Sequence, residues 1–332
     1  MKAYKKISIF LFPIILIFLF GPKPSNPNYN NTLPNVPIAA AAIEQYVISQ
    51  EKQHNIKPNN EARIIWNNDS TKNTTDYAIV YLHGFSASQE EGNPVHSNIA
   101  KKFGCNLYLA RLAEHGIDTS EALANLTAQN LWESAKQAYA IGKNIGKKVI
   151  LMSTSTGGTL SLKLAAEFSD IAGIILYSPN IAINDPNAWF LNNSWGLQVA
   201  KLVKGSPYNM VNVDTPIYNQ YWNQQYRLEA TTELEELLET TMTKDVFSKV
   251  HQPTLVLYYY KDEQQQDNVV KVSAMKDMFK EINTNANSKR IMAIPNAANH
   301  FLASPILSKD IVSVEKETTK FLEEVMGLKL KN

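Results

Sequence analysis

The run 149–158, Val149-Ile150-Leu151-Met152-Ser153-Thr154-Ser155-Thr156-Gly157-Gly158, narrows what this chain can fold into more than any other stretch. Its first four residues are apolar and β-prone, and small residues follow. An apolar pattern near helical spacing comes next, with Leu160, Leu162, Leu164, Ala165 and Phe168. Strand, tight turn and helix make the layout of a nucleophile elbow, which exposes a reactive side chain at the apex of a strained turn. Residues two positions to either side of the apex must then be small. Ser153 and Thr154 fail, because Leu151 and Met152 precede them at that distance. Thr156, between Thr154 and Gly158, fits poorly and carries a hindered hydroxyl. Ser155, between Ser153 and Gly157, fits on both sides. The run departs from G-x-S-x-G only at its first position, where Ser153 stands. In isolation such a run also reads as an ordinary helix N-cap, so the rest of the chain has to discriminate.

The flanking pattern supplies a frame. Continuous apolar runs at 77–82, 106–110, 148–152, 173–177 and 254–260, with a weaker one at 290–294, read as strands buried on both faces. A further strand is expected at 62–66. Helical patterns lie at 38–54, 128–145 and 311–328. This alternation predicts an α/β fold with a mainly parallel sheet and helices on both faces, and 332 residues suffice for it. The stretch 181–252 breaks the alternation. It holds Trp189, Phe190, Trp195, Tyr208, Tyr218, Tyr221, Trp222 and Tyr226, then a helix-like segment at 232–241. It reads as an insertion over the sheet. Either it is a helical extension with its own small core, or it is a lid whose aromatics line an apolar cleft.

Charge and cysteine content remove other classes. A net charge of +1 leaves no nucleic-acid footprint. The single cysteine, Cys105, permits no internal disulfide and no cysteine metal site, and it reads as a buried thiol. The six histidines lack the spacing of a zinc helix, so no metal is expected. At the N-terminus Lys2, Lys5 and Lys6 precede an apolar run at 7–20 that contains Pro13. Residues 1–21 therefore read as a signal peptide or an N-terminal membrane anchor. An exported protein is expected: periplasmic, secreted or held at a membrane. Residues 22–37, with Pro22, Pro24, Pro27, Pro34 and Pro37, read as an extended linker, and 38–330 as the catalytic domain.

A serine hydroxyl needs a base, and the base needs an orienting carboxylate. After the strand at 254–260, Asp262 and Asp267 compete for the acid. Asp267 is the better placed, because Asn268-Val269-Val270 and a helical pattern follow and can hold it rigidly. Asp262 stays open as the alternative. The base is His300, on the small-residue loop Asn296-Ala297-Ala298-Asn299-His300 after the last strand. The order Ser155, Asp267, His300 matches one of the known triad orders. An oxyanion hole would use the N–H of Thr156, next to the nucleophile, and that of Phe85 in the loop His83-Gly84-Phe85-Ser86. His83 and His115 are expected to brace their loops.

These motifs together resemble the α/β-hydrolase superfamily over roughly residues 76–328, in particular its carboxylesterase and monoacylglycerol-lipase-like branch. The resemblance implies hydrolysis of a small-molecule carboxylic ester, with a small or lipid-like acyl group, through an acyl-serine intermediate and with no cofactor. Amide or thioester cleavage on the same triad, and a non-catalytic binding protein on this fold, are the alternatives. The aromatic insertion leans toward apolar acyl groups.

Overall fold

In a computed structural model, which describes residues 20–213 and 215–331, the apolar runs pair side by side. The leader expected at residues 1–21 lies almost wholly outside the described residues. The strands are β1 (Arg63–Ile65), β2 (Thr75–Leu82), β3 (Asn106–Leu109), β4 (Gly146–Thr154), β5 (Ile171–Tyr177), β6 (Tyr208–Met210), β7 (Gln225–Arg227), β8 (Thr254–Tyr258) and β9 (Lys289–Ala293). Seven of them form one sheet in the order β1-β3-β2-β4-β5-β8-β9. All its neighbours run parallel except the edge strand β1, which is antiparallel to β3. The strands β6 and β7 make a separate antiparallel hairpin inside the inserted segment.

The helices are α1 (Ala40–Glu51), α2 (Val95–Phe103), α3 (Ala128–Ile145), α4 (Thr156–Glu167), α5 (Gly196–Lys204), α6 (Tyr218–Tyr221), α7 (Leu228–Thr241), α8 (Lys244–Ser248), α9 (Val272–Glu281) and α10 (Ile311–Glu324). Because side chains alternate along a strand, the sheet divides the core in two. Ala78, Val80, Leu82, Leu151, Ile174 and Leu176 face one cluster, shared with α1, α3, α4 and α9. Ile79, Tyr81, Ile150, Met152, Ile175 and Tyr177 face the other, shared with α2 and α10. Each fully buried aliphatic side chain contributes roughly 1.5–3 kcal/mol. A strand with no polar face, such as 78–82, can therefore lie only in the sheet centre. The helix α3 starts where Thr127 Oγ1 accepts from the Asn130 N–H and Asn130 Oδ1 accepts from the Thr127 N–H, a reciprocal cap.

Two segments differ from the sequence reading. Residues 22–37 are extended, as their prolines require, but they are not a free linker. An extended segment without a partner strand must find other partners for its backbone groups, and α3 supplies them. Trp132 Nε1 donates to the Asn30 carbonyl at 2.8 Å, and Lys136 Nζ donates to Asn30 Oδ1 at 2.7 Å and to the Thr32 carbonyl at 3.0 Å. Val36 is buried in the core. The helix α1, outside the region of resemblance, belongs to the same core through Ile43 and Val47. It is also pinned by Glu51, whose Oε2 and Oε1 accept from Arg111 Nε and Nη2 at 2.8 and 3.0 Å. The inserted segment returns to the sheet layer at α8, whose Val246 and Phe247 are buried.

Candidate active site

The elbow forms as its residue sizes demand. Ser155 sits between β4 and α4 with φ 52° and ψ −117°, a strained backbone for any residue with a Cβ. The surroundings enforce it. The Ser155 N–H donates to the Tyr177 carbonyl at 3.0 Å, and the Ser155 carbonyl accepts from Gly158, Thr159 and Asn180. Gly157 must lack a side chain, because a Cβ there would lie 2.0 Å from the Leu82 carbonyl oxygen. Ser153, in place of the first Gly, is accommodated by partners for its hydroxyl. Its Oγ donates to the Ile175 carbonyl at 3.4 Å and accepts from Ser161 Oγ at 3.0 Å. A buried hydroxyl with partners carries little penalty.

The two aspartates differ in burial and partners. Asp267 is 2% exposed, and its Oδ2 accepts from His300 Nδ1 at 2.6 Å. Its Oδ1 accepts from the N–H groups of Val269 and Val270 at 2.9 and 3.1 Å. Burial raises the Asp267 pKa, but the His300 ring and the two amides outweigh it and hold the carboxyl below its usual range. Asp262 is instead exposed and closes its own turn by accepting from the Gln264 and Gln265 N–H groups. It does not meet His300 among the described contacts.

His300 is 3% exposed, and its Nε2 has no hydrogen-bond partner among the described residues. In the neutral ring, an Nδ1–H donated to the carboxylate leaves the lone pair on Nε2. His300, Ser155 and Phe85 line a single cavity of about 1180 Å³. Thr156 is fully buried as the first residue of α4. Among the described residues, the N–H groups of Phe85 and Thr156 have no backbone acceptor. All five residues singled out in the sequence thus gather at the carboxyl ends of the parallel strands, where ligands bind in open α/β sheets.

The Phe85 loop is held by two histidines used as braces. His83 Nε2 accepts from the Leu112 N–H at 3.0 Å, so its proton is on Nδ1, which donates to the Gly84 carbonyl at 2.8 Å. His115 Nε2 accepts from the Ser86 N–H at 3.0 Å, and its Nδ1 donates to the Ala113 carbonyl at 2.8 Å. Burial, above all other causes, pushes His115 down to about 4 and His83 well below the usual range. Both rings are neutral, and neither has a free lone pair.

The inserted segment roofs the cavity. Of the eight aromatics noted in the sequence, Trp189, Phe190, Tyr218 and Tyr226 line it, so the segment is in part a lid. Two of the others tie the segment to the rest of the chain: the Trp195 N–H donates to the Pro22 carbonyl, and the Tyr208 hydroxyl donates to Glu121. Tyr221 packs on Trp222. Trp222 stacks on Tyr218 with centroids 5.1 Å apart and meets Phe301, the neighbour of His300, at 5.5 Å. Val211, Leu228 and Leu234 add apolar lining, and Gln264, Gln265 and Gln266 add polar lining. Among the described residues, no group of three or more His, Cys, Asp or Glu could hold a metal ion.

Neither a protein-family model nor a curated protein matches this sequence. Solved structures do match. A metagenome-derived lipolytic enzyme of the LipS and LipT pair aligns over 81% of this chain and 99% of its own, at TM-score 0.64 and 16% identity. The monoacylglycerol lipase of Paleococcus ferrophilus aligns over 79% and 97%, at TM-score 0.57 and 15% identity. The enol-lactonase of Burkholderia xenovorans LB400 aligns over 80% and 96%, at TM-score 0.52 and 15% identity. The chain has the α/β-hydrolase fold. Likeness at this level of identity establishes the architecture, while chemistry has to be argued from the site itself.

Proposed function

We propose that the protein is a serine hydrolase that cleaves carboxylic esters through an acyl-serine intermediate. The observation that carries this reading is the buried Asp267–His300 pair, whose unpartnered Nε2 shares a cavity with Ser155 at a strained elbow. Ser155 Oγ attacks the ester carbonyl carbon while its proton passes to His300 Nε2. The Asp267 carboxylate stabilises the imidazolium. The N–H groups of Phe85 and Thr156 hold the oxyanion, and each such donor is worth about 10²–10³ in rate. As the intermediate collapses, the C–O bond to the leaving alkoxide breaks and His300 returns the proton to it. Water, deprotonated by His300, then attacks the acyl carbon and releases the carboxylic acid and Ser155. The apolar cavity wall favours small or lipid-like acyl groups. The structural neighbours named as a lipolytic enzyme, a lipase and a lactonase are consistent with an ester rather than an amide. Ser155→Ala should lower p-nitrophenyl ester turnover by about 10⁶-fold, with an unchanged melting temperature and no fluorophosphonate labelling. A variant that keeps near-wild-type turnover would exclude Ser155 as nucleophile.

We also read the apolar run 7–20 as an export signal or membrane anchor, and one feature favours an anchor beside the lid. The described chain starts against the lid, where the Trp195 N–H donates to the Pro22 carbonyl at 2.9 Å. The adjoining α5 exposes Val199, Leu202 and Val203 by 39%, 81% and 79%, one apolar stripe at helical spacing. Val199 and Val203 also line the cavity, as does Trp189, 58% exposed. An anchor would hold this apolar face and the cavity mouth at a lipid surface. Cys105 is buried and is the only cysteine, so a Leu202→Cys variant can be labelled selectively. An environment-sensitive fluorophore there should shift to the blue on phosphatidylglycerol–phosphatidylethanolamine vesicles, while one at Val312→Cys on α10 should not respond. Equal responses at both positions, or none at 202, would count against lid docking.

A further inference from the structure

One buried acid takes no part in the triad. Glu91 lies in a short turn, Gln89–Gly92, and is 0% exposed. Its Oε1 accepts the Gly84 N–H. The turn is fixed by His96, whose Nε2 lies 3.0 Å from the Gln89 carbonyl. Nothing in the motif pattern of the sequence singles this residue out.

Its position relative to the oxyanion loop is specific. A Cβ on Gly84 would lie 3.0 Å from Ser155 Cβ and 3.2 Å from Glu91 Oε2. The carboxyl and the nucleophile therefore flank the same face of Gly84, and only a glycine leaves room for both. The next peptide, Gly84–Phe85, is trans, so the Phe85 N–H points opposite to the Gly84 carbonyl. That carbonyl is held by His83 Nδ1 at 2.8 Å and by the Ala87 N–H at 3.4 Å. With Glu91 holding the Gly84 N–H, the loop is pinned on both sides of Gly84, and the direction of the Phe85 N–H is set. A second link ties the same carboxyl to the elbow. The Tyr81 hydroxyl lies beside Glu91 and is 2.8 Å from Thr154 Oγ1, on the residue before Ser155.

We infer that Glu91 is a positioning residue for the oxyanion hole, acting as a hydrogen-bond acceptor that fixes the Gly84–Phe85 peptide. The inference rests on the ester-hydrolase reading above. Its form is set by charge. Burial pushes the Glu91 carboxyl well above its usual range, and the Gly84 amide and Tyr81 hydroxyl offset only part of that. An ionised carboxylate at this place would oppose the negative charge that develops on the substrate oxygen in a poorly screened site. A protonated acid keeps the acceptor and removes the repulsion.

The test compares Glu91→Gln, Glu91→Met and Glu91→Leu with the wild-type full chain, by steady-state kinetics on p-nitrophenyl butyrate and by thermal melting. Gln keeps a neutral oxygen acceptor, so kcat should stay within about threefold of wild type. Met and Leu fill the space without an acceptor, so kcat should fall about 10²-fold with KM within about threefold, by analogy with loss of one oxyanion donor. Several outcomes would overturn the inference. A Met or Leu variant with wild-type kcat would do so, as would a Gln variant as impaired as Met. Failure of both Met and Leu to fold, with Gln folded, would assign Glu91 a structural role instead. Wild-type protein that neither turns over esters nor reacts with a fluorophosphonate would overturn the ester-hydrolase reading itself, whatever the variants do.

Discussion

Two histidine-bearing loops reach the ends of the parallel strands, one after β2 and one after β9, and they use their rings in opposite ways. His83 spends both nitrogens on backbone groups, the Leu112 N–H and the Gly84 carbonyl. His300 gives one nitrogen to the Asp267 carboxylate and leaves the other without a partner. Both rings are buried. What separates a brace from a base is therefore not burial or loop position. It is whether a carboxylate stands behind the ring and a free lone pair in front of it. In the proposed mechanism the first loop aims an N–H, and the second moves a proton.

Exchanging these roles by mutation should produce losses of different kinds. The largest is expected for His300→Gln, about 10⁶-fold in kcat, because base and nucleophile act as one unit, with little change in melting temperature. His83→Ala should act mainly through stability. It leaves the Leu112 N–H and the Gly84 carbonyl short of a buried partner, at about 1–3 kcal/mol each, and thermal melting reads that directly. Should His83→Ala melt like wild type and lose as much activity as His300→Gln, the distinction between the loops would collapse.

The acid is the next test. Asp267→Asn should lower kcat by about 10⁴-fold, while Asp262→Asn, on its exposed turn, should leave kcat unchanged. Side-by-side kinetics of the two variants checks this, and the reverse pattern would move the acid to Asp262.

Stability should also depend on pH. Buried neutral rings refuse protons that the unfolded chain accepts near pH 6.5. His96 and His115 are both pushed down to about 4, and His83 well below the usual range, in each case chiefly by burial. As pH falls below about 6.5, the unfolded state is favoured by roughly 1.4 kcal/mol per pH unit for each ring that stays neutral in the fold. Asp267 contributes in a lower window. Its folded pKa is depressed, so its stabilisation is present above the unfolded value of about 3.9 and is lost as pH falls below it. Melting temperature should therefore decline from about pH 6.5 downward, equally in Ser155→Ala. A flat profile across that interval would mean that the bracing rings are not held neutral.

Local patterns made much of this legible. The helix at 128–145 and the strands at 77–82 and 106–110 follow from their apolar patterns. Ser155 follows from the sizes of Ser153 and Gly157 beside it. The hairpin of β6 and β7 escaped notice, since three-residue strands are too short to show a period. Residues 22–37 were legible as extended but not as packed, because their partners Trp132 and Lys136 lie about a hundred positions away.

The sequence by itself determined the alternation of strands and helices, the elbow, and the order of serine, acid and histidine, because these depend on neighbours within a few residues. Only the tertiary structure placed Asp267 rather than Asp262 against His300, gave Ser153 its partners, gave the two nitrogens of His83 backbone partners, and set Glu91 against Gly84. Each of those outcomes depends on which distant groups meet where water is excluded. There, one hydrogen bond or one missing partner decides whether a residue holds the fold or does chemistry.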